Sequence, residues 1–217
     1  MATRQRIETL SRFTSCDIGD ALVKLKYPYG GFLDGIKMYS PGSKGPVVGP
    51  AITVRMVETS DISAPKLDQH FVDYNQSGHI MYIHQPPGLS AACWGGLMST
   101  RAQHLGAAGA VVNGRIRDQR EHKELKFPVF GRDSSILGSN TFTKASQVDV
   151  PLQFKGELWI HPGDIILGDE EGVVVTPVSL IDQVIAFCEE RAEIDKLTVE
   201  CLMKGEAMGP VLRKLRK

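Results

Sequence analysis

GGLMSTRAQHLGAAGAVVNGRIRD, residues 95–118, combines a helical and a strand pattern in one stretch. Apolar residues recur within it at intervals of three or four positions, at Met98, Ala102, Leu105 and Ala108. This spacing predicts a helix over 97–109 that Gly109 ends. AVVNG (110–114) predicts a buried strand, and HIMYIH (79–84) upstream predicts another. Strand, helix and strand in this order predict a right-handed crossover unit within a parallel sheet.

The flanking sequence predicts further strands and a helix at each end of the chain. Residues 4–26 are predicted to be helical with a break near Thr14, and residues 65–76 to form a short helix. A long closing helix is expected from about 178 to 204. Short β segments are predicted in AITVRMV (51–57), FPVFGRD, PLQFKGELWI, DIILGD and GVVVTP. We therefore expect one α/β domain over residues 1–217.

Composition excludes several classes of protein. The chain has 25 basic and 25 acidic residues and a formal charge of zero, which argues against a nucleic-acid partner. No apolar run approaches the ~20 residues that a membrane helix requires, so no membrane partner is expected. The four cysteines show no CxxC spacing, which favours a reducing compartment and a cytoplasmic location.

The residues that flank the crossover unit suggest a binding site. The loop before its helix and the end of its second strand should lie at one edge of the sheet, where open α/β proteins bind ligands. Gly95 and Gly96 would let backbone N–H groups approach an anion at the start of the helix. Arg117 could bind a carboxylate through two parallel hydrogen bonds, and Asp118 offers an oxygen ligand suited to Mg²⁺ or Mn²⁺. Each feature alone is also typical of an ordinary turn or a solvated ion pair.

Other polar residues are weaker candidates. Glu121, three positions after Asp118, and His84, at a strand end, are expected to support the site from a second shell. His122 is expected on the surface. The carboxylates of Asp164 and Asp169 flank a short strand and are expected to shape tight turns rather than to bind metal.

The linked blocks of this chain resemble those of the regulator of ribonuclease activity A and its relatives, the class II pyruvate aldolases acting on 4-hydroxy-4-methyl-2-oxoglutarate. Gly96, twenty intervening residues, Arg117-Asp118, two more residues and Glu121 form the pattern G-x20-R-D-x2-E. The resemblance covers most of the chain, through CDIGDAL, GPAITV, HLGAAGAVVNGRIRD, FPVFGRD, HPGDIILGDEEGVVVTP and the closing KGE.

The resemblance implies a swivelling-type α/β/β/α sandwich that forms homotrimers or homohexamers with sites at subunit boundaries. Backbone groups of Gly95, Gly96, Leu97 and Met98 would bind the pyruvoyl end of a short 2-oxo acid. Arg117 would hold its carboxylate or keto oxygen, and Asp118 would bind the divalent metal through a water-rich shell. An acidic residue from a neighbour's closing helix is expected near the metal, and Glu193 and Asp195 both remain candidates.

One departure from the family pattern bears on the reaction. The dedicated aldolases resemble D-x20-R-D, with an aspartate where this chain has Gly96. Aldol cleavage needs a base for the substrate hydroxyl, whereas decarboxylation of oxaloacetate does not, because the departing carboxylate is already ionised. We therefore expect decarboxylation to exceed cleavage of 4-hydroxy-4-methyl-2-oxoglutarate. A non-catalytic regulator that binds a ribonuclease is the alternative function.

Overall fold

The computed structural model describes residues 4–42 and 45–216. The helices are α1 (Arg4–Leu10), α2 (Ser15–Lys24), α3 (Gly96–His104), α4 (Gln119–Leu125), α5 (Ile181–Met203) and α6 (Met208–Leu215). The predicted break in the first helical segment is confirmed, because Thr14 caps α2 and exchanges hydrogen bonds with Asp17. None of the helices in the described ranges is long and apolar enough to cross a membrane.

The strands are β1 (Lys37–Ser40), β2 (Val47–Glu58), β3 (Ile80–His84), β4 (Ala92–Trp94), β5 (Gly109–Ile116), β6 (Val129–Ser134), β7 (Thr143–Val148), β8 (Leu152–Lys155), β9 (Leu158–Ile160), β10 (Ile165–Gly168) and β11 (Val173–Thr176). Strands β2, β3, β5 and β6 are parallel neighbours at the centre of one sheet. The sheet continues to antiparallel β10 and β11, while β8 and β9 pair separately. The predicted strand–helix–strand unit is thus β3–α3–β5.

Three apolar cores separate four layers. The first core packs one face of the central sheet against α3 and α4, through Trp94, Ala102 and Phe127. The second packs the opposite face against β8–β9 and against β10–β11. The third packs the far side of β10–β11 against α1, α2 and α5. This layering confirms the predicted α/β/β/α arrangement with helices at both ends of the chain.

Side chains along the central strands alternate between the first and second cores. In β3, Met81 and Ile83 lie in the first core, whereas Ile80 and Tyr82 lie in the second. The same alternation along β5 places Val111 in the second core. Residues that continue these strands therefore reach opposite faces of the sheet.

Two predicted helices differ most from the observed ones. The helix predicted over 65–76 is only a single 3-10 turn, Phe71–Tyr74, because its buried apolar residues are adjacent rather than at helical spacing. Helix α3 ends at His104 rather than at Gly109, since Gly106 has a φ of +78° and Gly109 already begins β5.

Candidate active site

The end of β5 turns sharply at Arg117 and Asp118 and leads directly into α4. The amide of Arg117 donates to the carbonyl of Trp94 at 3.0 Å, which holds this turn against the start of α3. Asp118 has a φ of 58°, in the left-handed region, and is the N-terminal cap of α4. Aspartate tolerates this conformation better than most residues, and such strained positions cluster at functional sites.

Gly95 and Gly96 bring the start of α3 against two carboxylates. The Gly96 amide donates to Asp118 Oδ2 at 3.0 Å. A Cβ added to Gly95 would lie 2.6 Å from Asp118 Oδ2, and one added to Gly96 would lie 1.6 Å from Glu121 Oε2. Glycine is therefore required at both positions, because the side chains of Asp118 and Glu121 occupy the space that a Cβ would need.

The position of Glu121 corrects one premise of the sequence interpretation. The missing side chain at position 96 was expected to leave the site without a fixed base. Instead, the Glu121 carboxylate reaches from α4 to the point where a side chain on Gly96 would begin. The site thus contains a carboxylate at that point, supplied by a different helix.

Several hydrogen-bond donors in this region remain available to a ligand. Leu97 N–H, in the first turn of α3, has no protein acceptor among the described residues, whereas Met98 N–H bonds to the carbonyl of Gly95. The Arg117 side chain donates from Nε to Asp118 Oδ2 at 3.2 Å. Arg117 Nη1 lies close to Gly138, since a Cβ added to that glycine would be 2.7 Å from Nη1. No hydrogen bond within the described residues occupies either Nη group of Arg117, so both can bind a carboxylate.

A buried chain of side-chain hydrogen bonds supports this arrangement from behind. Trp94 Nε1 donates to Ser99 Oγ at 2.8 Å, and Ser99 Oγ lies 2.9 Å from Nδ1 of His122. His122 Nε2 lies 2.7 Å from the carbonyl of Arg117. Because a carbonyl only accepts, Nε2 carries the proton and Nδ1 accepts from Ser99.

His122 was expected on the surface, but it is fully buried. Burial lowers the pKa of His122, although its bond to Arg117 and the charges of Asp118 and Glu121 oppose this shift. The ring is therefore neutral at physiological pH. Sequence reasoning missed it because Trp94, Ser99 and His122 meet only through the packing of α3 against α4.

The start of α3 and the turn at Arg117 and Asp118 line a cleft of about 160 Å³, which is sized for a small molecule. Gly95, Leu97, Met98, Arg117 and Asp118 contribute to it, with Gly138 and Ser139 on the opposite side. The Leu97 side chain at its rim is 85% exposed, and Ile136 on the opposite loop is 94% exposed. Exposed apolar side chains around a polar cleft are typical of a surface that another protein chain covers.

The structure places the remaining candidates elsewhere. His84 does not line this cleft, because alternation along β3 directs it to the opposite face of the sheet, where it lines a larger cavity. Asp195 on α5 pairs with Arg191 and Arg216 of its own chain, at 3.2 and 2.7 Å. Exposed Glu193 has no such partner among residues 4–42 and 45–216. Of the two acidic residues, Glu193 is therefore the better candidate to contact a neighbouring chain.

The acidic residues of the β10 region shape turns, as expected. Asp169 accepts from the backbone and hydroxyl of Ser15, at 2.7 and 2.6 Å, and from the amides of the following turn. Asp164 accepts from the amide of His161 at 2.8 Å. Both carboxylates are buried and bonded within the protein.

The donor set of the cleft is compatible with a hard divalent cation. Asp118 uses Oδ2 for its protein contacts, which leaves Oδ1 directed away from them, and Glu121 adds a second carboxylate nearby. No group of three or more His, Cys, Asp or Glu side chains that could hold a metal occurs within the described residues. Asp118 still fits Mg²⁺ or Mn²⁺, because these ions commonly keep several waters or substrate oxygens as ligands.

Comparison with known proteins yields consistent matches. Residues 15–175 match the family model described as RraA-like, Aldolase/RraA. A protein of Halalkalibacterium halodurans named "putative 4-hydroxy-4-methyl-2-oxoglutarate aldolase" is 34% identical over 151 residues, which cover 69% of each chain.

Two crystal structures share the fold. An uncharacterized protein from Pseudomonas syringae superposes with a TM-score of 0.83 at 24% identity, covering 96% of this chain and 97% of that one. Streptomyces coelicolor RraAS2, described as an unusual member of the RNase ES inhibitor RraA family, gives a TM-score of 0.80 at 22% identity, covering 92% and 99%.

Proposed function

The chain belongs to the RraA-like family, and we propose that it is a divalent-metal-dependent carbon–carbon lyase acting on short 2-oxo acids. Relatives named as aldolases suggest lyase activity at the level of the family. The observation that carries the proposal is the convergence of Arg117, Asp118 and Glu121 on the glycine turn that begins α3.

Substrate binding follows from the donors that the protein leaves unused. The Nη groups of Arg117 would hold the substrate carboxylate in two parallel hydrogen bonds, and Leu97 N–H would donate to the same pyruvoyl end. The positive end of the α3 dipole adds to the attraction for an anion. The limited volume of the cleft restricts the substrate to a small acid.

Asp118 is the residue that would hold a divalent cation, with waters or substrate oxygens as the remaining ligands. When bound there, Mg²⁺ or Mn²⁺ would supply positive charge where negative charge develops on the 2-oxo oxygen. Arg117 would stabilise the same charge from the protein side. His122 acts on Arg117 only through the backbone carbonyl, so it is a positioning residue.

Two reactions share this chemistry. In oxaloacetate, the bond between C3 and C4 breaks to release CO₂, and its electron pair forms the enolate of pyruvate, which is then protonated at C3. In 4-hydroxy-4-methyl-2-oxoglutarate, a base removes the hydroxyl proton, and cleavage of the corresponding bond gives pyruvate and the same enolate. Glu121 is the candidate for that base because its carboxylate lies at the start of α3 beside Gly96.

A neighbouring copy of the chain would complete the site. We expect a homotrimer or homohexamer in which Glu193 of one chain approaches the cleft of another. The exposed apolar rim of Leu97 and Ile136, and the absence of a group of three or more metal-binding side chains within the described part of the chain, both support this arrangement.

The direct test is pyruvate release from each substrate, with Mg²⁺ or Mn²⁺ and with excess EDTA, against a blank containing metal but no protein. The blank is essential because divalent ions alone promote decarboxylation of oxaloacetate. We expect turnover above the blank that EDTA abolishes. Turnover no higher than the blank for both substrates would reject the lyase and leave the ribonuclease-binding regulator as the better account.

A further inference from the structure

Four polar side chains form a row across the parallel strands, on the face of the sheet opposite the candidate active site. Arg55 on β2 is in register with His84 on β3, which is in register with Asn113 on β5. Arg132 on β6 follows Gly131, the register partner of Val112, and so continues the row. Residues in register point to the same face, so the row lies just beyond the core that contains Tyr82.

Hydrogen bonds join three members of this row. Arg132 donates from Nε to Asn113 Oδ1, and Asn113 Nδ2 lies 3.0 Å from His84 Nδ1. Because the amide nitrogen donates, His84 Nδ1 accepts and Nε2 carries the proton. Burial, then the positive charges of Arg55 and Arg132, lower the pKa of His84. The row therefore consists of two cations and two neutral groups, one of which has a spare N–H donor.

In the described part of the chain, the two arginines of the row have no carboxylate partners. Within residues 4–42 and 45–216, Arg55 donates to the side-chain oxygen of Gln147, and Arg132 donates to Asn113 and to the carbonyl of Asp34. Arg115, which lines the same cavity, differs in pairing with Asp133 at 2.6 Å. Arg55 is half-buried and Arg132 is exposed, and two guanidinium groups without a carboxylate partner among the described residues favour binding of an anion.

The row lies within a large and partly apolar cavity. Its volume is about 860 Å³, against about 160 Å³ for the active-site cleft. The hairpin of β8 and β9 forms an apolar wall through Leu152, Phe154 and Trp159. The Arg132 guanidinium lies 5.1 Å above the Phe154 ring. A cavity of this size and lining is typical of sites for organic ligands larger than a three-carbon acid.

We propose that this cavity is a second ligand site, for an organic anion whose carboxylate lies between Arg55 and Arg132. The anion's apolar, planar body would pack against Phe154 and Trp159. Such a ligand matches the charged and the apolar lining of the cavity. The guanidinium groups can donate hydrogen bonds to a carboxylate, and the β8–β9 hairpin provides an aromatic surface. The site is independent of the lyase proposal because its residues do not line the active-site cleft.

Isothermal titration with three probes tests whether charge and apolar surface are both required. 2-Naphthoate carries both features, acetate carries only the charge, and 2-naphthamide carries only the ring system. We expect 2-naphthoate to bind at least about tenfold more tightly than either of the others, a difference of about 1.4 kcal/mol. Equal binding of 2-naphthamide or acetate would contradict the proposal.

Variants locate the bound probe. Arg55→Gln and Arg132→Gln should each weaken 2-naphthoate at least about tenfold. Arg117→Ala, in the active-site cleft, and the surface control Arg101→Gln should leave its binding unchanged. Circular dichroism and light scattering on each variant separate loss of binding from loss of fold or assembly.

Two outcomes overturn the proposal. If Arg117→Ala abolishes binding while the row variants retain it, the probe occupies the active-site cleft. If Arg55→Gln and Arg132→Gln remain folded but dissociate the oligomer, the row binds a neighbouring copy of the chain rather than a small anion.

Discussion

Glu121 and Gly96 share one space: Glu121 Oε2 lies 1.6 Å from the point where a Cβ on Gly96 would be. Gly96 carries no positive-φ strain that would itself require glycine. A side chain at position 96 could place a carboxylate on the first turn of α3. In this chain, Glu121 on α4 places its carboxylate at that point instead. We therefore expect Glu121 to act as the base that removes the proton of the substrate hydroxyl.

Glu121→Gln should separate the two reactions. Loss of a positioned base typically costs about 10²–10⁴ in rate, so kcat/KM for 4-hydroxy-4-methyl-2-oxoglutarate should fall by at least about 10². Decarboxylation of oxaloacetate needs no such base and should fall less than about tenfold. Glu124→Gln, on the same helix and paired with Arg120, is the matched control. An equal fall for both substrates would show that Glu121 serves binding rather than proton transfer.

Gly96→Asp should be destabilising and inactive as a single substitution, and Glu121→Gly should restore it. The new side chain would meet the Glu121 carboxylate, so the single variant should lose stability and activity on both substrates. The double variant Gly96→Asp/Glu121→Gly moves the carboxylate to α3 and should recover both the melting temperature and aldol cleavage. Steady-state kinetics and thermal melts on the three proteins measure this. Full activity of the single variant would mean that Glu121 does not occupy this space in solution.

His122→Ala should destabilise the fold by about 2 kcal/mol, because it leaves the Ser99 hydroxyl without an acceptor and the buried carbonyl of Arg117 without a donor. Burial lowers the pKa of His122 below its ordinary value, so the unfolded chain binds the proton more tightly. The contribution of neutral His122 to the free energy of unfolding is therefore fully present above about pH 6.5, and it is lost as the pH falls through the lowered pKa of His122. Denaturant melts at pH 7.5 and 5.5 should therefore show a smaller pH difference in His122→Ala than in the natural protein. His104→Ala, at an exposed position on α3, should retain the original difference.

Glu193→Gln should lower kcat without changing the mass of the oligomer. The expected reason is that Glu193 serves the site of a neighbouring chain, whereas Asp195 is occupied by Arg191 and Arg216. Co-expression of Glu193→Gln with inactive Arg117→Ala should recover part of the activity, because some mixed sites then contain both natural residues. Glu189→Gln, an exposed acid on the same helix, is the control. An active monomer by light scattering would remove the shared-site account.

The sequence predicted those features that depend on local pattern. The alternation of β3 and β5 and the spacing of α3 were sufficient to place Gly95 and Gly96 beside Arg117 and Asp118. Helix α4 was not predicted, because QREHKEL has almost no apolar residues and is stabilised mainly through buried His122 and the packing of Leu125. The contacts of Glu121 and His122 depend on that helix. His84 was predicted near the site because it ends a strand, but the pleat of β3 directs it to the other face.

We propose that the carboxylate of Asp118 makes this cleft a metal-dependent lyase site. The most direct measurement is the rate of pyruvate release from oxaloacetate by Asp118→Asn across a titration of Mn²⁺, beside the natural protein and Glu124→Gln. We expect Asp118→Asn to remain folded, to lose at least about 10² in kcat/KM and to show no saturable response to Mn²⁺. Glu124→Gln should match the natural protein. Turnover by Asp118→Asn that still saturates with Mn²⁺ and is abolished by EDTA would contradict the claim.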